Sequence, residues 1–361
     1  MNALFSATVA FLLFALQPVA ARAQDDSLDI KLGQLIIFGF YGTRIQTSDP
    51  VYRAVKEGKV GSILLYGRNI ARRNAADSLD ILIRTFQEAA PIPLFVSIDQ
   101  EGGKVNRLRP ELGFPPMPSA EYLGRVNQSD TTAFYAGVIA QTLQQLGINL
   151  NYAPVVDVKN PLCPVLGARE RCFSADPEQI AFHAGIVVDE HHRRGVKTVL
   201  KHFPGHGNSL TDSHLGLTDV SRTWQRIELL PYLRLIRNNQ ADAIMTAHIV
   251  NTQLDESRLP ATLSRRIMTG LLRDSLGFRG VIFSDDMQMK AISEQYKLED
   301  AIFKAMDAGV DVLMFSNNIP GVADYAPANI HAIMKRLVLS GRISREQVDA
   351  SFRRVMTLKQ R

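Results

Sequence analysis

Eight short apolar runs recur along this chain, at residues 35–40, 61–66, 94–98, 150–156, 198–202, 243–247, 280–283 and 310–315. They are rich in Ile, Val, Leu and Phe, the composition of strands buried on both faces of a parallel sheet. Longer amphipathic stretches separate them. Residues 131–146 space Phe134, Val138, Ile139 and Leu143 at helical intervals before Gly147, and residues 180–194 end in the same way at Gly195. After the eighth run, 46 residues (361 − 315) carry helical patterns at 329–340 and 344–358. Eight strand–helix units are expected to form an α/β fold of the (β/α)8 type, one barrel domain over residues 24–361 with no second C-terminal domain. A doubly wound open sheet is the alternative. The barrel is preferred because polar, chemically capable residues end many different strands, which is where a barrel builds its site.

Residues 4–20 are almost wholly apolar and are followed by Ala21-Arg22-Ala23, a small-x-small pattern. The apolar core is shorter than the ~20 residues of a spanning helix, so residues 1–23 read as a cleaved export signal and no stable membrane span is expected. Met1-Asn2 departs from the pattern in carrying no Lys or Arg. The exported protein, periplasmic or extracellular, should begin at Gln24; N-terminal sequencing that returned Met1 would overturn this. The formal charge of +5 falls to +4 without Arg22. The basic residues form no long runs, which argues against a nucleic-acid partner. Cys163 and Cys172 are the only two cysteines. In an exported protein such a pair is expected to be a disulfide, with two buried free thiols as the alternative.

Charged residues follow four of the apolar runs directly. The third leads into Asp99-Gln100-Glu101-Gly102-Gly103 with Arg107 beyond, and the fifth into Lys201-His202-Phe203-Pro204-Gly205-His206-Gly207 with Asp212-Ser213-His214 beyond. The sixth ends at His248, and the seventh at Ser284-Asp285-Asp286-Met287. A charge at the C-terminal end of a barrel strand sits in a concave mouth, partly desolvated, and must be paired or used.

Together, in this order, these segments resemble glycoside hydrolase family 3, in its bacterial β-N-acetylhexosaminidase (β-N-acetylglucosaminidase) branch, over nearly the whole mature chain. The resemblance implies a retaining exo-glycosidase that releases a terminal β-linked N-acetylhexosamine from peptidoglycan or chitin-type fragments, through a glycosyl-aspartate. It makes Asp285 the nucleophile and leaves Asp286 a supporting or helix-capping role. The pair Asp212/His214, with thirteen residues from Lys201 to His214, is the family's acid/base dyad. An imidazole titrates near neutrality and can donate and then accept a proton when a carboxylate orients it. Relatives that cleave glucosides or xylosides usually take their acid from a later domain, so the dyad favours the N-acetylhexosamine branch. Asp99, Arg107, Arg171, Lys201 and His202 match positions that hold sugar hydroxyls. Arg171 is preferred to Arg169, and His206 and His248 are expected to support the site rather than act on substrate.

No cofactor is expected. His202, His206, His214 and Asp212 could be drawn as metal ligands, but HxxxH gathers ligands only on a helix, and Pro204, Gly205 and Gly207 break one here. The expected partner is an amino-sugar oligosaccharide or cell-wall fragment, and the expected state a monomer. Three other readings stay open: phosphorolysis by a relative in which phosphate replaces water, a Schiff-base lyase barrel using Lys201, and a non-catalytic sugar-binding protein.

Overall fold

The computed structural model describes residues 28–213, 215–319 and 322–361. The export signal expected at residues 1–23 and the acid/base candidate His214 lie outside the described residues.

Eight parallel strands close on themselves: β1 (Ile36–Gly39), β2 (Ser62–Leu65), β3 (Phe95–Ile98), β4 (Leu150–Asn151), β5 (Lys197–Phe203), β6 (Ala243–Thr246), β7 (Val281–Asp286) and β8 (Val312–Phe315). β1 closes the ring, with Ile37 in register with Ser62 on one side and Met314 on the other. This is the expected (β/α)8 barrel, and the closed ring rules out the open sheet. The interior is filled from opposite sides: Phe283 of β7 meets the Tyr152 ring edge-on, and the Tyr152 hydroxyl donates to Ser97 Oγ at 3.0 Å. A buried tyrosine needs such a partner for its polar end.

The helices follow their sequence signals. The pattern at 131–146 is the helix Ser129–Gln145, and that at 180–194 is Pro177–His192, whose first turn carries Pro177 and whose Asp176 side chain accepts the Glu178 N–H. Such a cap is worth about 1 kcal/mol. The two helices pack against each other outside β4 and β5. The C-terminal helix Arg345–Gln360 opens with reciprocal capping between Ser344 and Gln347.

Two expectations are corrected, and one small element is added. The fourth run, 150–156, is regular only over Leu150–Asn151. Pro154 has no N–H to give the ladder, and pairing resumes beyond it, with the Val156 N–H on Lys201 O at 2.9 Å. A two-stranded parallel ladder, Thr218–Asp219 with Ile249–Val250, was not anticipated, because two residues carry no periodicity. Cys163 and Cys172 are not bonded to each other. Both are buried with Val155, Val165 and Leu166 in a small apolar cluster, and Cys163 Sγ lies 3.3 Å from Ser209 Oγ. A buried free cysteine packs as a small hydrophobe with a weak S–H donor. Thiol titration should therefore find two thiols per chain after denaturation without reductant, and close to none in the native protein. A count of zero after denaturation would restore the disulfide.

Candidate active site

The two strands that carry the most chemistry are both bulged. β5 pairs Leu200 with Ile244 and next Phe203 with Thr246, so it uses three residues where β6 uses two. β7 does the same against β8, pairing Phe283 with Val312 and next Asp286 with Met314. Successive strand residues normally face opposite sides; one extra residue breaks the alternation and re-aims the side chains. As a result Lys201 and His202, and likewise Asp285 and Asp286, all line one cleft. On β7 the Ser284 hydroxyl substitutes for the lost ladder acceptor and receives the Met314 N–H at 2.9 Å.

The cleft measures about 580 Å³ and is also lined by Tyr66, Asp99, Arg107, Arg171 and Asp212. That is a size typical of small-ligand sites. It opens at the C-terminal ends of the strands, the face on which barrels place their chemistry.

At one wall, Lys201 is only 1% exposed and its ammonium lies 2.7 Å from Asp99 Oδ1 and 2.6 Å from Glu101 Oε1. Arg171 forks onto Glu101, with Nε to Oε2 at 2.8 Å and Nη2 to Oε1 at 2.7 Å, and its Nη1 donates to Val165 O at 3.0 Å. Arg107 Nη2 stands 3.5 Å from Asp99 Oδ2. Burial pushes both carboxyls up. Lys201 and Arg107 at Asp99, and Arg171 and Lys201 at Glu101, outweigh it and hold both below the usual range. Two carboxylates held in their ionised form near neutral pH and three cations form a donor–acceptor set suited to vicinal hydroxyls.

Behind this wall Asp157 is buried and accepts three hydrogen bonds: His202 Nδ1–H at 2.7 Å, the His202 N–H at 3.2 Å and the His206 N–H at 2.8 Å. Burial pushes its carboxyl up, but the two histidines bring it below the ordinary value. The His202 ring is thereby fixed with Nε2 3.5 Å from Arg171 Nη2. Burial pushes His206 down to about 4, so its ring is neutral near pH 7. Glu228, packed beneath the same loop, is pushed up to about 7 by burial, and its Oε1 accepts from Asn208 Nδ2 at 3.0 Å.

The opposite wall is the end of β7. Asp285 accepts the Asp286 N–H on Oδ1 at 2.8 Å, and the Asp285 N–H reaches Thr246 Oγ1 at 3.3 Å. Asp286 turns into the structure, where its carboxylate receives the Gln288 N–H at 3.1 Å, the Ser316 N–H at 3.2 Å and the Ser316 hydroxyl. Burial pushes its pKa up to about 6. His248 is fully buried, with Nε2–H donating to Asp286 O at 3.0 Å and Nδ1 2.7 Å from Thr262 Oγ1. Asp286 and His248 therefore brace the strand end that presents Asp285.

Of the residues singled out in the sequence, Asp99, Arg107, Arg171, Lys201, His202, Asp212 and Asp285 come together in this one cleft. Arg169 also reaches the cleft, but Arg171 holds the ion pair with Glu101. Sequence reasoning missed Glu101, Asp157 and Tyr66. Asp157 had a usable signal, since it directly follows the fourth apolar run, as Asp99 follows the third.

The glycosyl hydrolase family 3 N terminal domain matches residues 27–358. A β-hexosaminidase of Tolumonas auensis is 38% identical over 267 residues, covering 73% of this chain and 77% of that protein. The structure of a family 3 β-N-acetylglucosaminidase from Paenibacillus superposes with a TM-score of 0.84 at 35% identity, over 92% of this chain. This chain spans only 62% of that longer protein. A β-N-acetylhexosaminidase from Beutenbergia cavernae superposes with a TM-score of 0.83 at 29% identity, covering 92% of this chain and 98% of the other. A closed barrel with a carboxylate-rich mouth and a family match over nearly the whole described chain lead to one conclusion: the chain belongs to glycosyl hydrolase family 3 and is a glycoside hydrolase built on that family's N-terminal domain.

Proposed function

We propose that this enzyme is a retaining β-N-acetylhexosaminidase that removes a terminal non-reducing GlcNAc from peptidoglycan or chitin-type fragments. The carrying observation is the β7 bulge that presents Asp285 to the same cleft as the Asp99–Lys201–Glu101–Arg171 set and Asp212. In this reading Asp285 attacks the anomeric carbon while His214, oriented by Asp212, protonates the departing oxygen. The glycosidic C–O bond breaks and an ester to Asp285 forms. Water, deprotonated by His214, then attacks the same carbon and releases Asp285, so two inversions give net retention. Asp99, Arg107, Lys201, His202 and Arg171 hold the sugar. The names of the relatives support the amino sugar, and the chain's mild positive charge suits an anionic cell-wall polymer. We place the enzyme outside the cytoplasm because of the apolar segment at residues 4–20.

The test is a panel of nitrophenyl β-glycosides with the product followed by NMR. GlcNAc is expected to be cleaved at least tenfold faster than glucose or xylose, because a site built for the acetamido group leaves polar partners unpaired with other sugars. The first product should be the β-anomer. A first-formed α-anomer would overturn retention, and sugar 1-phosphate as the main product in phosphate buffer would overturn hydrolysis.

A further inference from the structure

The loop that leaves β5 carries, in order, His206, Ser209, Asp212 and Ser213, with His214 next in sequence. His206 is 3% exposed and touches this loop through both ring nitrogens: Nδ1 lies 2.7 Å from Ser209 Oγ and Nε2 lies 3.0 Å from Ser213 Oγ. Ser209 Oγ–H also reaches His206 O at 2.9 Å, and Cys163 Sγ lies 3.3 Å from Ser209 Oγ and 3.7 Å from His206 O. A neutral imidazole has one N–H donor and one acceptor nitrogen, and a serine hydroxyl can donate or accept, so both ring contacts can be met in either tautomer. The backbone N–H of His206 is tied to Asp157, the carboxylate that also sets the His202 ring.

We propose that His206 is a positioning residue for the acid/base pair: it clamps Ser213, the residue that follows Asp212, and so fixes the place of Asp212 in the cleft. The inference rests on the acid/base reading given above. Both ring nitrogens of His206 meet buried serine hydroxyls of the loop, and Ser213 is buried although its neighbour Asp212 lines the cleft. Through Cys163 the clamp also reaches the 159–174 segment that carries Arg171, which joins the sugar-holding wall to the loop. Ser213 cannot shift without breaking its buried hydrogen bond to His206, and such a bond is costly to leave unmade.

The discriminating variants are Ser213→Ala, His206→Ala and His206→Gln, read as kcat/KM on nitrophenyl β-GlcNAc and on a GlcNAc disaccharide. That parameter reports bond cleavage in the first step, where a nitrophenolate leaves without help and a sugar hydroxyl does not. A misplaced acid forfeits part of the ~10²–10⁴-fold of general acid catalysis. Ser213→Ala and His206→Ala should therefore lose roughly tenfold or more on the disaccharide and under about threefold on the nitrophenyl substrate. KM should stay within about twofold on both. Gln at 206 can meet Ser213 with either its amide oxygen or its amide N–H, so His206→Gln should recover most of the disaccharide activity. Ser213→Ala removes one oxygen atom and keeps the measurement interpretable if His206→Ala misfolds. Equal losses on the two substrates in Ser213→Ala, or wild-type kinetics, overturn the clamp. His214→Ala separates the two readings. Leaving-group selectivity there without selectivity in Ser213→Ala refutes only the clamp, whereas no selectivity in His214→Ala refutes the acid/base assignment and the clamp with it.

Discussion

Asp285→Ala should lower kcat/KM by roughly 10⁴-fold or more on nitrophenyl β-GlcNAc and on disaccharides alike, the scale seen when a nucleophile is removed. The loss is indifferent to the leaving group because no covalent intermediate can form with either. The scaffold should survive the change. The strand end is held by Ser284, Asp286 and His248, all of which the change leaves in place. Circular dichroism and melting temperature should stay close to wild type. Azide provides the sharper check. It is small enough for the space the carboxylate leaves, and attack on the anomeric carbon would expel nitrophenolate with a single inversion. The product would be the α-glycosyl azide, with its rate rising with azide concentration. Substantial hydrolysis by Asp285→Ala without azide would sink the assignment, and a β-glycosyl azide would show that another group still performs the first displacement. Asp286→Asn should behave differently, because Asp286 serves Ser316 and Gln288 rather than substrate.

Much of this was legible in the order of residues, and the reasons are physical. Strands buried on both faces must be apolar runs, so the eight runs located the eight barrel strands. Charges that directly follow such runs have to sit in the mouth, so Asp99, Lys201, His202 and Asp285 could be found without coordinates. Bulges cannot be read in this way. Nothing in Leu200-Lys201-His202-Phe203 states that two consecutive residues will face one cleft, because that depends on how many residues β6 offers opposite them. Glu101 was visible in its motif but not as the partner of Lys201 and Arg171, since that set joins residues 70 and 100 positions apart along the chain. The cysteines show the same limit. Their spacing and expected compartment fitted a disulfide, and only the fold shows both thiols free and buried, with Cys163 Sγ turned to Ser209 and His206.

His214→Ala should fail selectively. Protonation of the leaving oxygen is worth ~10²–10⁴-fold when the aglycone is a sugar hydroxyl and little when it is nitrophenolate. The expected loss in kcat/KM is therefore roughly 10²-fold or more on a GlcNAc disaccharide and about tenfold or less on nitrophenyl β-GlcNAc. The second step tells a different story, because the same imidazole is needed as the base that activates water. With a nitrophenyl substrate the glycosyl-aspartate should form readily and decay slowly, which gives a burst of nitrophenol equal to the enzyme concentration and a low steady-state kcat. Azide needs no base, so it should raise that steady-state rate and yield the β-glycosyl azide, the opposite anomer from the one expected with Asp285→Ala. Asp212→Ala should repeat this pattern in milder form, since the imidazole is still present but less well oriented and its protonated form has lost a neighbouring carboxylate. Stopped-flow nitrophenol release and kcat/KM for both substrate classes measure all of this. Equal losses on the two classes in His214→Ala, with no burst and no response to azide, would remove His214 from the acid/base role.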